Sequence, residues 1–138
     1  PYINTIKQPI CYRPVMPIKV LLADDSDIIR RAIRQLFEQH SEIELVGEAT
    51  DFPQTVQMAN DLKPQVVVMD LHMGDKDRLT DLMSHLKACT SRIVAISFWN
   101  DEKTRELAES FGAVTLLDKM NLSDELIPTI EKFSKPDG

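Results

Sequence analysis

The chain has 138 residues, 43% of them apolar and 28% charged, with a net charge of −6. That length and apolar share suit one domain with a buried core, and the mixed, mildly acidic balance favours neither nucleic acid nor an anionic membrane surface as a partner. No apolar run approaches the roughly 20 residues of a membrane span, and no signal-peptide core opens the chain.

Residues 1–17 hold four prolines (1, 9, 14 and 17) without periodicity and read as an arm outside the core. Met16, directly before the first folded element, would suit a translation start. From Ile18 the chain alternates. Ile18–Ala23 is an apolar strand that runs into Asp24 and Asp25. Ser26 or Asp27 then caps a helix whose apolar positions Ile28, Ile29, Ala32, Ile33, Leu36 and Phe37 follow helical spacing. Ile43–Ala49 is a second strand, and Asp51 with Pro53 opens a second helix through Val56, Ala59 and Leu62. Pro64 ends it, because a residue before proline leaves helical geometry.

Gln65–Met69 is a third strand in which Val66–Met69 (VVVM) is an unbroken apolar run, the pattern of a parallel strand covered on both faces, and Asp70 stands where it ends. After a polar loop, Leu79, Leu82, Met83 and Leu86 mark a third helix. Arg92–Ile96 is a fourth strand, Asn100–Ser110 a fourth helix stopped near Gly112, and Ala113–Leu117 a fifth strand. Ser123 starts the last helix toward Phe133, and Pro128 should make it start late or kink. A polar stretch, 135–138, closes the chain as a tail or the start of a linker. The folded unit is thus 18–134.

Five strands alternating with five helices predict an α/β fold with a parallel sheet covered on both faces. The expected class is flavodoxin-like (βα)5 with strand order 2-1-3-4-5, whose switch point lies between the first and third strands. Asp24, Asp25 and Asp70 then share one crevice, flanked by Ser97 and Lys119 from the ends of the fourth and fifth strands. The first turn, Ala23-Asp24-Asp25-Ser26, lacks the glycines of a nucleotide-phosphate loop. Cys11 and Cys89 match no metal or redox spacing and read as two thiols of a reducing cytosol. His40, His72 and His85 show no ligand spacing, which argues against zinc; His72 and His85 read as surface histidines.

Alone, Asp24-Asp25 would cap a helix, Ser97 would be a turn hydroxyl and Lys119 a solvated lysine. Together they point to charge chemistry. Crowded carboxylates repel unless a cation sits among them. Mg²⁺, which takes oxygen ligands and shares carboxylates with phosphate, is the natural choice. A lysine and a hydroxyl beside it suit phosphoryl transfer to a carboxylate.

The chain from about Ile18 to Phe133 resembles the response-regulator receiver domains of two-component signalling. The matching pieces are VLLADDS, VVVMDLHM, AIS and LLDKM in that order, and the pattern of GEATD and LKPQVVVMDLHM is most similar to receivers ahead of LuxR-type DNA-binding domains. The resemblance implies that Asp70 is the phosphoacceptor and that Asp25 binds Mg²⁺ directly. It further implies that Asp24 acts through water, that the His72 backbone carbonyl completes the protein ligands, and that Ser97 and Lys119 hold phosphoryl oxygens. It implies a sensor histidine kinase or an acyl phosphate as donor, a cytoplasmic location, and any DNA-binding domain outside this chain; it allows a homodimer through the terminal helices.

Five positions depart from the family pattern. Gly74 replaces a proline, Phe98 and Trp99 follow the serine where a small residue is usual, Leu116 stands for the switch aromatic, and Met120 replaces a proline after the lysine. The acidic pocket is therefore expected complete and the relay around it altered, with Phe98 or Trp99 as the repacking group. The competing expectation is a degenerate receiver that docks a partner whatever its phosphorylation state. A phosphatase fits less well, because His72 rather than a second carboxylate stands two residues after Asp70. A flavin binder would set its phosphate against these carboxylates.

Overall fold

The computed structural model describes residues 16–74, 79–89 and 91–135. Most of the proline-rich arm with Cys11, the loop at 75–78 and the last residues of the tail lie outside the described residues. Five parallel strands, β1 (Ile18–Ala23), β2 (Ile43–Ala49), β3 (Val66–Asp70), β4 (Arg92–Ser97) and β5 (Thr115–Asp118), form one sheet in the order β2-β1-β3-β4-β5. Five helices alternate with them: α1 (Asp27–Glu38), α2 (Phe52–Leu62), α3 (Leu79–Ala88), α4 (Glu102–Ser110) and α5 (Leu122–Ser134). This is the expected flavodoxin-like (βα)5 arrangement.

Side chains alternate across a strand, so each central strand feeds two cores. Val20 and Leu22 of β1, Val66 and Val68 of β3, and Val94 and Ile96 of β4 pack with Ile33 and Phe37 of α1 and with Leu126 and Ile130 of α5. Their neighbours Leu21, Val67, Met69 and Ile93 face the other way, onto Phe52, Leu86, Ala108 and Phe111. Apolar side chains on both faces explain why VVVM is unbroken rather than alternating. In β1 and β2 the register shifts between Val20 and Leu21, a β-bulge that leaves the two strands ending together at Ala23 and Ala49.

Local signals set most element ends. Ser26, not Asp27, caps α1, its Oγ accepting from the Ile29 N–H (3.2 Å). Asp51 caps α2 by accepting from the Gln54 N–H (2.7 Å). Helix α4 begins at Glu102 rather than Asn100, because Asp101 takes the Thr104 N–H (2.9 Å) as its cap. Gly112, at φ +79°, follows α4 as expected. The strands β3, β4 and β5 run slightly further than their apolar stretches, so Asp70, Ser97 and Asp118 are strand residues, each paired across the sheet. Pro128 corrects one expectation: α5 begins at Leu122 and holds the proline in its interior instead of starting late. The proline leaves the carbonyl of Asp124, four residues earlier, without its helical donor, and both residues are exposed to water.

Candidate functional site

The carboxyl ends of β1, β3, β4 and β5 deliver the polar residues to one crevice, as ligand-binding ends of parallel sheets do. Asp24 leaves β1 with its N–H tied to the Ala49 carbonyl (3.0 Å), and its Oδ1 accepts from the Ser26 N–H (2.8 Å). Asp24 and Asp70 are buried, whereas Asp25 is exposed at the rim. Asp24, Asp25 and Asp70 each present a carboxylate oxygen within 4.8 Å of the others. Lys119, in the 3₁₀ turn Lys119–Asn121 after β5, brings Nζ to 2.7 Å from Asp24 Oδ2 and 3.4 Å from Asp70 Oδ2. Ser97 is buried at the end of β4, and its Oγ accepts from the Trp99 N–H (3.0 Å). Asp24, Asp25, Asp70 and Lys119 thus converge, and Ser97 stands at the neighbouring strand end with its hydroxyl turned to the Trp99 N–H.

The charges oppose one another. Burial pushes the Asp70 carboxyl above its ordinary range, the Lys119 ammonium pulls it down, and the Asp24 carboxylate pushes it up again. The His72 N–H donates to Asp70 Oδ1 (3.1 Å), a further bond that favours the ionised form. Asp24 Oδ2 meets Lys119 as an ion pair and accepts no well-formed hydrogen bond, which leaves a buried lone pair directed into the crevice. A hard divalent cation fits that donor set, since the three carboxylates are all-oxygen, closely spaced and mutually repulsive.

Two supports were not legible in the sequence. Arg30, one turn into α1, folds back so that Nη1 donates to the Asp24 carbonyl (2.8 Å) while Nε donates to Glu48 Oε1 of β2 (3.2 Å); it also pairs with Asp27. Glu48 is held by Arg34 as well (2.8 Å), and the two arginines, Arg34 foremost, keep its carboxyl below the usual carboxylate range. No periodicity signals this contact, because Asp24 lies on a strand end and Arg30 on the following helix. The second support is Gly74, whose N–H points at Asp25 Oδ2 at a long 3.4 Å. Gly74 has φ +49°, a conformation closed to the proline usual there, and proline would also remove that donor.

The aromatic residues surround the mouth. Phe98 and Trp99 are exposed, the Phe98 ring lies 5.2 Å from Lys119 Nζ, and Trp99 meets the His72 ring edge-on at 5.3 Å. His72 is therefore half-buried rather than a plain surface histidine, whereas His85 is exposed on α3 as expected. Leu116 packs, partly buried, against the core beneath α2–α4.

Comparison with known proteins places this geometry. Residues 20–131 match the model of the response regulator receiver domain. The chain belongs to the response regulator receiver family. Among its relatives, the transcriptional regulatory protein LiaR of Bacillus subtilis is 33% identical over 86% of this chain and 56% of its own length. Protein-glutamate methylesterase/protein-glutamine glutaminase 2 of a Shewanella strain is 38% identical over 78% of this chain and 31% of its own. This receiver thus spans about a quarter to a half of the curated relatives it matches. Among solved structures, the receiver domain of the putative response regulator NarL from Mycobacterium tuberculosis superposes with a TM-score of 0.79 at 19% identity, covering 89% of this chain and all of that one. The response regulator domain of Thermotoga maritima CheB gives 0.74 at 24%, covering 88% and 99%. The fold is therefore CheY-like and the protein a two-component signalling receiver; among the described residues no helix is long and apolar enough to cross a membrane.

Proposed function

We propose that this receiver takes a phosphoryl group on Asp70 in a Mg²⁺-dependent reaction and uses it to switch a partner-binding face. The observation that carries the reading is the Lys119 ammonium lodged against both Asp24 and Asp70, with Asp25 completing the carboxylate trio. An Asp70 oxygen attacks phosphorus, the bond from phosphorus to the donor breaks, and its electron pair leaves on the donor's imidazole nitrogen or acyl oxygen. The donors that fit are a sensor histidine kinase and a small acyl phosphate. Mg²⁺, when bound, neutralises the phosphoryl oxygens and the carboxylates together. Asp25 would ligate it directly, Asp24 through water, and Asp70 and the His72 carbonyl would complete the protein ligands. Lys119 takes one phosphoryl oxygen as a point charge and Ser97 donates its hydroxyl proton to another.

Drawing Ser97 and Lys119 toward the phosphoryl group pulls on the starts of α4 and α5, which gives a local charge a wider readout. With Leu116 in place of an aromatic ring, Phe98 or Trp99 is the group that repacks. The domain catalyses its own phosphorylation and dephosphorylation and is otherwise a cytoplasmic switch; DNA binding belongs to any output domain of the parent protein, and a homodimer would use the terminal helices.

Intact mass after acetyl phosphate with Mg²⁺ tests the reading. Wild type gains one phosphoryl mass and Asp70→Asn gains none. An unlabelled wild type, under conditions that label another receiver, refutes it. The exposed Phe98 and Trp99 favour a second reading, a degenerate receiver that binds its partner without phosphorylation. Mg²⁺ titration followed by Trp99 fluorescence separates the two, because a working acidic pocket reports the ion.

A further inference from the structure

The Lys119 side chain is only 6% exposed, yet the ring beside it, Phe98, is 49% exposed. One face of Phe98 therefore covers the ammonium while the remainder meets solvent, with Nζ 5.2 Å from the ring centroid. That is within the reach of a cation–π contact, in which the negative face of the ring attracts the cation. The backbone fixes the ring there from both sides. Ser97 precedes it in the sheet and holds the Trp99 N–H (3.0 Å), and Trp99 itself rests on His72 (5.3 Å), two residues beyond Asp70. Three consecutive residues thus touch three parts of the site: the serine hydroxyl, the lysine and the turn after Asp70.

We infer that Phe98 is a positioning residue for Lys119, holding the ammonium at the mouth through its π face. The chemistry is specific. Asp24 anchors Lys119 in the resting site (2.7 Å), and that anchor weakens once the Asp24 carboxylate serves a metal or its water shell. A phenyl face competes with neither metal nor phosphate for hydrogen bonds, so it keeps the cation in place while its anionic partner is drawn elsewhere. An aliphatic side chain of similar size would cover the lysine without attracting it.

The inference rests on the phosphoacceptor reading, and its test keeps the two apart. Phe98 is replaced in the full chain by phenylalanines bearing one, two and three fluorines, which drain the π face at nearly constant shape, and by Leu and Tyr. Labelling rates with acetyl phosphate and Mg²⁺ are measured alongside the Lys119 side-chain proton shifts of the metal-free protein. The rate should fall stepwise with fluorine number and in Phe98→Leu, by about 2- to 30-fold overall, the range of cation–π strengths. Phe98→Tyr should restore it. Upfield ring-current shifts of the Lys119 ε-protons should be present in wild type and absent in Phe98→Leu. A flat rate across the series in a protein that labels normally overturns the inference and spares the phosphoacceptor reading. Loss of label in wild type sinks that reading instead, and the Lys119 shifts then decide whether the contact exists: unshifted ε-protons in wild type overturn it.

Discussion

Asp70 sits where burial and the Asp24 carboxylate work against its own charge, with Lys119 as partial relief. The folded chain therefore holds the Asp70 proton more tightly than the unfolded chain does. In the unfolded chain an aspartate titrates near 3.9. Above that value the ionised side chain costs folding free energy, and the cost grows until pH passes the raised folded value. Asp70→Asn should then raise the melting temperature of the metal-free protein at pH 7 by a few degrees, with the gain shrinking in melts below about pH 4. An Asn variant no more stable than wild type at pH 7 would show the carboxylate to be fully compensated. Aspartates, serine and lysine were legible as candidate site residues because phosphoryl chemistry needs those groups at strand ends, and strand ends can be read from apolar runs. Arg30 and the Gly74 N–H were not legible, since each depends on how a turn folds back in space.

At the scale of the element, caps and apolar periodicity located every strand and helix, and the differences fall at ends. Periodicity stops where side chains turn polar, but the backbone ladder continues one residue further, which is why Asp70, Ser97 and Asp118 belong to strands. Pro128 shows the opposite case: the packing of Leu122, Leu126 and Ile130 into the core outweighs the lost hydrogen bond at an exposed position. In the core beneath α2–α4, Phe52 at the start of α2 and Phe111 just past α4 stack with centroids 5.2 Å apart and planes 19° from parallel. Phe111 is fully buried. Its replacement by Ala should cost about 3–5 kcal/mol, read as a lower urea midpoint. A loss below about 1 kcal/mol would mean that the helices collapse onto the vacated space.

Across the whole molecule, the two cores fix the sheet and the sheet fixes the crevice, so a cation bound there should stabilise the entire fold. By mass action, Mg²⁺ at one hundred times its dissociation constant adds about 2.7 kcal/mol. Melts with and without the ion should show that gain in wild type and a much smaller one in Asp25→Asn, whereas equal gains would place the ion elsewhere. The clasp from Arg30 to both the Asp24 carbonyl and Glu48 extends this reach to the border of the sheet. Strand β2 has a neighbour on one side alone, and border strands ordinarily breathe first. Here such breathing would tug on the acidic trio itself. Glu48→Gln, which loosens the outer end of the clasp, should therefore weaken Mg²⁺ affinity from a distance and quicken amide exchange along β2; unaltered affinity would mean that Arg30 grips Asp24 unaided.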